Sequence, residues 1–293
     1  MTPPPAVPRP AATVVVARGD GPDVEVLLLR RTAKAAFMAR AWVYPGGRVD
    51  PGDADDAWLD HVEGLDALHD AFIDLDAAQA RAFFVAAIRE CFEESGLLLA
   101  HRRDGRPLAA TDADRARLTT WRQRLNGRDA GLLDVAREEG LVVHLDAILP
   151  FAHWITPANE PKRYDTRFFV APAPHGQVPI ADHDETVAEQ WVRPADAIRA
   201  HARGELQLAP PTWRTLLDLA DAAERDGVRA WAVAETPVPI EPVFTQVGGA
   251  LQLVLPGDPE HPGPATVSGA TRIGLRDGAW CELGPHARST ADE

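Results

Sequence analysis

Apolar residues near the start of the chain come in two short runs, ATVVVAR at 12 to 18 and VEVLLLR at 24 to 30, divided by Gly19, Asp20, Gly21 and Pro22. Runs of this length, rich in valine and leucine and split by a glycine turn, predict two paired strands. Farther on the period lengthens. Phe83, Phe84, Ala87, Ile88 and Cys91 recur on one helical face, so an amphipathic helix pinned against a core is expected. Asp76 is placed to cap its start, and Gly96 to end it in the left-handed conformation that glycine tolerates. Helical patterns return at 112 to 125, at 130 to 139 with Gly140 as the stop, at 195 to 203, and at 212 to 225 behind Pro210 and Pro211. Strand-like segments fall at 141 to 149, 167 to 171, 188 to 193, 251 to 256 and 271 to 275.

Residues 1 to 10, MTPPPAVPRP, read as an extended or disordered lead-in. A main domain is expected over 11 to 235, with a helical insertion at 102 to 140. The proline- and glycine-rich remainder, 236 to 293, reads as a small β appendage. A chain of 293 residues accommodates one large domain with elaborations, or two small ones. No apolar run approaches a membrane span and no signal core opens the chain, so no membrane association is expected. Two cysteines, Cys91 and Cys281, do not make a disulfide framework, which points to the cytoplasm. The final Ala-Asp-Glu differs from the Ser-Lys-Leu peroxisomal address. The net charge of −14 argues against a nucleic-acid-coating protein. It leaves room for a small anionic substrate, because bound cations and local arginines set the field at a site.

The candidate chemistry lies in RECFEESGL at 89 to 97. On a helix Glu90, Glu93 and Glu94 stand at i, i+3 and i+4, within roughly a 100° arc. Three hard oxygen ligands on one surface suit Mg²⁺ or Mn²⁺. An exposed acidic face would be tolerated at a cost of only a few tenths of a kcal/mol, so the cluster alone does not prove a site. Held in a partly buried cleft, each carboxylate pair at about 5 Å repels by roughly 3 kcal/mol at an effective dielectric near 20, and a cation is the simplest relief. Upstream, PGGRVDPGD at 45 to 53 brings Gly46 and Gly47, which permit close backbone approach. Arg30, Arg31, Lys34 and Arg40 precede that loop, either as a solvated face or as phosphate contacts.

These two segments resemble the signature of the Nudix hydrolase superfamily: Gly, five residues, Glu, seven residues, then Arg-Glu-aliphatic-any-Glu-Glu-any-Gly-aliphatic. The chain supplies Gly47, Asp53 in place of the first Glu, then Arg89, Glu90, Cys91, Glu93, Glu94, Gly96 and Leu97. Thirty-five residues rather than seven separate Asp53 from Arg89, an insertion of 28. An insertion within the signature is similar to the branch called nucleoside diphosphate-linked moiety X motif 19, associated with hydrolysis of coenzyme A and acyl-coenzyme A. AWVYPGGRVD at 41 to 50, FAHWITP at 151 to 157 and RYDTRFFVA at 163 to 171 look like that branch too. The inserted stretch, 54 to 81, is acidic and carries Trp58, Leu59, Leu65, Leu68 and Phe72. A small helical cap is expected over 54 to 75, outside the core formed by the glycine loop and the acidic helix.

The resemblance implies an α/β fold, a Nudix-type α/β/α sandwich around a mixed sheet, with helical insertions and the small C-terminal β appendage. It implies Mg²⁺ or Mn²⁺ held by Glu90, Glu93, Glu94 and the main chain of Gly46, with Arg89 orienting a carboxylate. Glu90 or Glu185 is expected as base, with Glu189 behind them. Arg31, Arg40, Lys162, Arg163 and Arg167 are candidates for substrate phosphates. The substrate is then a small nucleotide-type diphosphate, first coenzyme A or its acyl derivatives, alternatively ADP-ribose, NAD(H) or a dinucleoside polyphosphate. A non-catalytic Nudix-fold ligand sensor is the other class. It sits poorly with retention of Arg89, Glu90, Glu93 and Glu94 together. A homodimer is compatible with all of these.

Overall fold

The computed structural model describes every residue except 1–3, 36–37, 67–71, 73, 226, 235–236, 248–249, 268 and 285–293. Leu68 and the final Ala-Asp-Glu therefore lie outside the described residues. The strands are β1 (Arg9–Arg18), β2 (Glu25–Arg31), β3 (Trp42–Val43), β4 (Gly46–Arg48), β5 (Val62–Glu63), β6 (His101–Arg102), β7 (Leu141–His144), β8 (Leu149–Ile155), β9 (Tyr164–Pro172), β10 (Thr186–Val192), β11 (Pro239–Ile240), β12 (Val243–Val247), β13 (Ala250–Val254), β14 (Arg272–Arg276) and β15 (Ala279–Glu282). The helices are α1 (Ala77–Ser95), α2 (Asp112–Asn126), α3 (Leu132–Glu139), α4 (Pro194–Ala202), α5 (Pro210–Glu224) and α6 (Val228–Ala234).

The main sheet is mixed, in the order β10-β2-β1-β9-β8-β11, with β3 paired to β2 and β4 to β1. Strand β1 runs parallel to β9 along its whole length, from Arg9↔Tyr164 to Ala17↔Pro172. The sheet thus begins at Arg9, inside the stretch expected as a lead-in. On its other edge β1 changes partner. Ala17 and Arg18 pair with β2, whereas Ala11, Ala12 and Thr13 pair with Arg48, Gly47 and Gly46 of β4. The glycine loop is thereby laid onto the sheet as a short strand.

Period-two alternation sorts the strand side chains between two cores. Ala12, Val14, Val16, Leu27 and Leu29 meet α1, together with Phe83, Phe84, Ala87, Ile88 and Cys91 of its apolar stripe. Val15, Val26, Leu28, Phe168 and Val170 face the other way, against Ala197 of α4, Leu216 and Leu219 of α5 and Ala232 of α6. The result is helix, sheet, helix in three layers. Helix α1 starts and stops where its caps place it. Asp76 accepts from the Gln79 N–H at 2.8 Å, and Gly96 adopts φ +74°. Among the described residues no helix is long and apolar enough to cross a membrane.

One expectation needs correction. The stretch after Asp53 is not a cap outside the core, because Trp58, Val62 and Phe72 are buried in the α1 layer. Phe72 packs edge-on against Phe84 and Phe169, and Asp74 clamps Arg167 of β9 with two hydrogen bonds, 3.0 and 2.7 Å. The described residues from 51 to 60 form 3-10 turns, and Val62 and Glu63 add a strand parallel to β7. The C-terminal β appendage is a separate sheet, β12-β13-β14-β15, packed on the second core through Leu253, Leu255 and Ile273. It is fastened to α4, where Trp280 N–H donates to His201 Nε2 at 2.8 Å.

Candidate active site

The partner switch in β1 presses β4 against the polar edge of α1. Gly46 N–H donates to Glu94 Oε2 at 3.0 Å. At Gly46 a side chain would run into backbone, and at Gly47 it would displace the Glu90 carboxylate. A Cβ on Gly46 would lie 2.5 Å from the Ala12 carbonyl oxygen, and one on Gly47 would lie 2.5 Å from Glu90 Cδ. The paired glycines are therefore needed for close approach, here of backbone to carboxylates.

Arg89 organises the cluster from within. Its guanidinium forks onto Asp53 through Nε and Nη2, both at 2.9 Å, although 36 positions separate the two residues. Nη2 also donates to the Arg48 carbonyl at 2.7 Å, and Nη1 donates to Glu90 Oε1 at 2.9 Å and Glu93 Oε2 at 3.0 Å. One buried side chain thus ties the glycine strand, the turn after it and two acids of the helix together. Burial works to neutralise Arg89, but Asp53, Glu90 and Glu93 hold it firmly charged.

The carboxylates sit in a costly environment. Burial pushes Glu90 up to about 7, with repulsion from Glu93 and Glu185 opposing the relief from Arg89. Glu94, only 6% exposed, is held well above the ordinary carboxylate range by burial and then by the Glu90 charge. Glu93 is raised by burial against the pull of Arg89. Among the described residues no three acidic, histidine or cysteine side chains already converge as a ligand set. The reason is visible in the bonds above, since Arg89 draws Glu90 and Glu93 while Gly46 holds Glu94. The donor chemistry nevertheless fits a hard divalent cation, because carboxylates raised by burial and then by mutual repulsion are what such an ion relieves.

Other candidates separate on position. Glu185 is exposed on the loop before β10, and its charge acts on both Glu90 and Glu94. Its carbonyl accepts from Thr32 N–H at 2.9 Å, which brings the end of β2 alongside. Arg31 has the strand parity of Leu27 and Leu29 and so belongs to the α1 face; its Nε is buried without a hydrogen-bond partner. Arg40 is exposed in a left-handed conformation at φ +65°, and Lys162 is exposed before β9. Glu189 is engaged elsewhere, its Oε2 accepting from Ala181 N–H at 2.9 Å.

Arg163 and Arg167 are not free to take substrate phosphates. Arg163 is buried and donates to the Thr156 and Ala6 carbonyls and to Glu241. Arg167, 2% exposed, is clamped by Asp74 and lies over Phe72 and Phe83. Both are structural because a guanidinium buried in a sheet must find carboxylates or carbonyls nearby. Sequence reasoning missed Asp182, which organises the Glu185 loop, and Arg122 of α2. Arg122 Nε donates to the Glu93 carbonyl at 2.9 Å, and nothing in the helical pattern of 112 to 125 distinguishes it.

Comparison with known proteins matches this geometry. The family described as the NUDT19 Nudix domain matches residues 8–219. Acyl-coenzyme A diphosphatase NUDT19 of Gallus gallus is 30% identical over 318 aligned residues, covering 90% of this chain and 82% of that protein. The Xenopus laevis protein of the same name is 26% identical over 281 residues, covering 84% and 74%. The crystal structure of a NUDIX hydrolase from Alicyclobacillus acidocaldarius superposes with a TM-score of 0.59 at 28% identity, covering 75% of this chain and 95% of that one. A glycine strand closed over an Arg-Glu…Glu-Glu helix, within a family match spanning most of the chain, shows that this protein belongs to the Nudix hydrolases, in the NUDT19 Nudix domain family.

Proposed function

We propose that this Nudix hydrolase cleaves the diphosphate bond of coenzyme A or an acyl-coenzyme A, using Mg²⁺ or Mn²⁺ held by Glu90, Glu93, Glu94 and the main chain of Gly46. The observation that carries this reading is the burial of Glu90 and Glu94 beneath the glycine strand. Two acids raised in this way gain most from a cation. The acyl-coenzyme A diphosphatases among the relatives supply the substrate class.

Glu90, Glu93, Glu94 and the main chain of Gly46 would hold a divalent ion, which would offset the diphosphate charge and make the attacking water more acidic. The chain's own residues do the rest. Arg89 fixes the Glu90 and Glu93 carboxylates, so the acids meet the substrate already oriented. Glu185 stands outside the buried set but within its field, and its carboxylate oxygen accepts the proton of the attacking water. Arg31 offers a guanidinium whose buried Nε lacks a partner, and a substrate phosphate oxygen would satisfy the group. Arg40 and Lys162, both exposed, are further candidates for contacts to the substrate phosphates. Phosphorus–oxygen cleavage of coenzyme A yields 3′,5′-ADP and 4′-phosphopantetheine.

The test is turnover of coenzyme A by the purified protein with excess chelator and after Mg²⁺ or Mn²⁺ is restored. Activity should vanish and return, and Glu93→Gln should lower kcat by orders of magnitude. Full turnover in chelator, or turnover of ADP-ribose and NADH but of neither coenzyme A nor its acyl derivative, would contradict the proposal.

A further inference from the structure

The loop that carries Glu185 is held by a second carboxylate. Its ends, Ala181 and Thr186, are each 1% exposed, while His183, Asp184 and Glu185 face solvent. Between them His183 takes φ +67°, a conformation that a residue with a Cβ seldom adopts without restraint. The restraint is Asp182. Its Oδ1 accepts from the N–H groups of Asp184 and Glu185 at 3.2 Å each, from Thr186 N–H at 2.8 Å and from Thr186 Oγ1 at 2.9 Å. Its Oδ2 also lies 3.2 Å from Glu185 N. The Glu185 carbonyl is tied in turn to Thr32 N–H at 2.9 Å. Both main-chain groups of Glu185 are therefore fixed by residues other than its neighbours in a regular strand.

The direction in which they fix it is unfavourable for the protein alone. The loop is seated against the acidic turn of α1, with Ile180 N–H donating to the Ser95 carbonyl at 2.8 Å and Thr186 Oγ1 3.5 Å from the Glu94 carbonyl oxygen, so the Glu185 carboxylate is held on the side of like charges. An unrestrained loop would relax outward and lose the geometry a proton transfer needs. Asp182 opposes that relaxation with hydrogen bonds to a charged acceptor, which are stronger than neutral ones. Arg122 and Asn126 of α2 both donate to the Glu93 carbonyl, at 2.9 and 3.3 Å, which braces the acidic turn of α1 that the loop rests on.

We propose that Asp182 is a positioning residue for hydrolysis: its carboxylate clamps the 182–186 loop so that Glu185 stays directed at the Glu90–Glu94 pair. This rests on the reading of Glu185 as the base, and a double-mutant cycle separates the two. Saturating-substrate kcat for coenzyme A is measured in Asp182→Ala, Glu185→Gln and the double variant, with KM and the thermal midpoint recorded for each. Glu185→Gln should lower kcat by about 100-fold or more, the ordinary worth of a general base. Asp182→Ala should lower it by about 10- to 100-fold with KM within about twofold, as a misplaced catalytic group does. In the Glu185→Gln background the same change should cost less than about twofold, because the group it positions is gone. Asp182→Asn, which keeps an acceptor oxygen, should recover most of the loss. Wild-type kcat in Glu185→Gln would remove the base, and the proposal with it. A normal Glu185→Gln loss with equal Asp182→Ala losses in both backgrounds would leave the base standing and overturn the positioning role. Should Asp182→Ala fail to fold, Asp182→Ser, too short to span the loop, replaces it in the same cycle with the same expected and contradicting results.

Discussion

Replacing Arg89 with lysine keeps a positive charge at the centre of the cluster and removes its shape. The guanidinium donates five hydrogen bonds, two to Asp53, one to the Arg48 carbonyl and one each to Glu90 and Glu93. An ammonium has three donors on one atom and cannot reach partners spread around the edge of the guanidinium plane, from Nε through Nη2 to Nη1. At least two of the bonds are lost. At about 1.5–3 kcal/mol for a hydrogen bond to a charged group, that is about 3 kcal/mol or more. Solvent gives no relief, since Arg89 is 8% exposed and Asp53 2%. Urea unfolding of both proteins at neutral pH measures the loss, and Arg89→Lys should lower the unfolding free energy by about 3 kcal/mol. A loss under about 1 kcal/mol, the worth of an exposed pair, would show that the Asp53–Arg89 fork does not hold the glycine strand to the helix.

Other changes separate the site from its supports. Gly47→Ala places a Cβ against the Glu90 carboxylate, so kcat should drop at least tenfold while unfolding free energy changes by less than about 1 kcal/mol; unchanged kcat would remove the need for glycine there. Phe72→Ala should cost about 3–5 kcal/mol in urea unfolding, as for any buried aromatic, whereas a loss under about 1 kcal/mol would return the insertion to the periphery. His201 is poised to respond to pH, because its Nδ1 faces the Leu206 carbonyl and its Nε2 accepts from Trp280 N–H, so only the neutral ring fits. Burial lowers its pKa below the ordinary 6.5, so its contribution is complete above that pH and declines as pH falls through the lowered value. Stability measured from pH 7 downward should fall more steeply in the wild type than in His201→Phe, and parallel curves would refute the link.

Local signals carried the reading of the site a long way. The hairpin was legible from its valine and leucine runs, and α1 from its apolar stripe with Asp76 and Gly96 at the ends. Those features act within a few residues. What escaped depends on distant partners. Arg167 reads as a basic residue on a strand, and only the fold brings Asp74 to it from 93 positions away. Phe72 reads as one apolar residue in an acidic segment until β9 supplies Phe169. The short β4 strand could not be foreseen, since Gly-Gly has weak strand preference and forms one only because β1 leaves an edge free where β2 diverges. The C-terminal sheet was seen as strands but not as part of the core, because its attachment runs through Trp280 and His201, which no sequence period connects.

The central claim is that this chain breaks a diphosphate bond in a coenzyme A-type substrate, and mass analysis of the products of a palmitoyl-class acyl-coenzyme A in ¹⁸O-water tests it most directly. Cleavage at the diphosphate gives 3′,5′-ADP and acyl-4′-phosphopantetheine in equal amounts, with one ¹⁸O on a phosphate and the thioester intact. Free coenzyme A with labelled fatty acid, or released inorganic phosphate without 3′,5′-ADP, would contradict it.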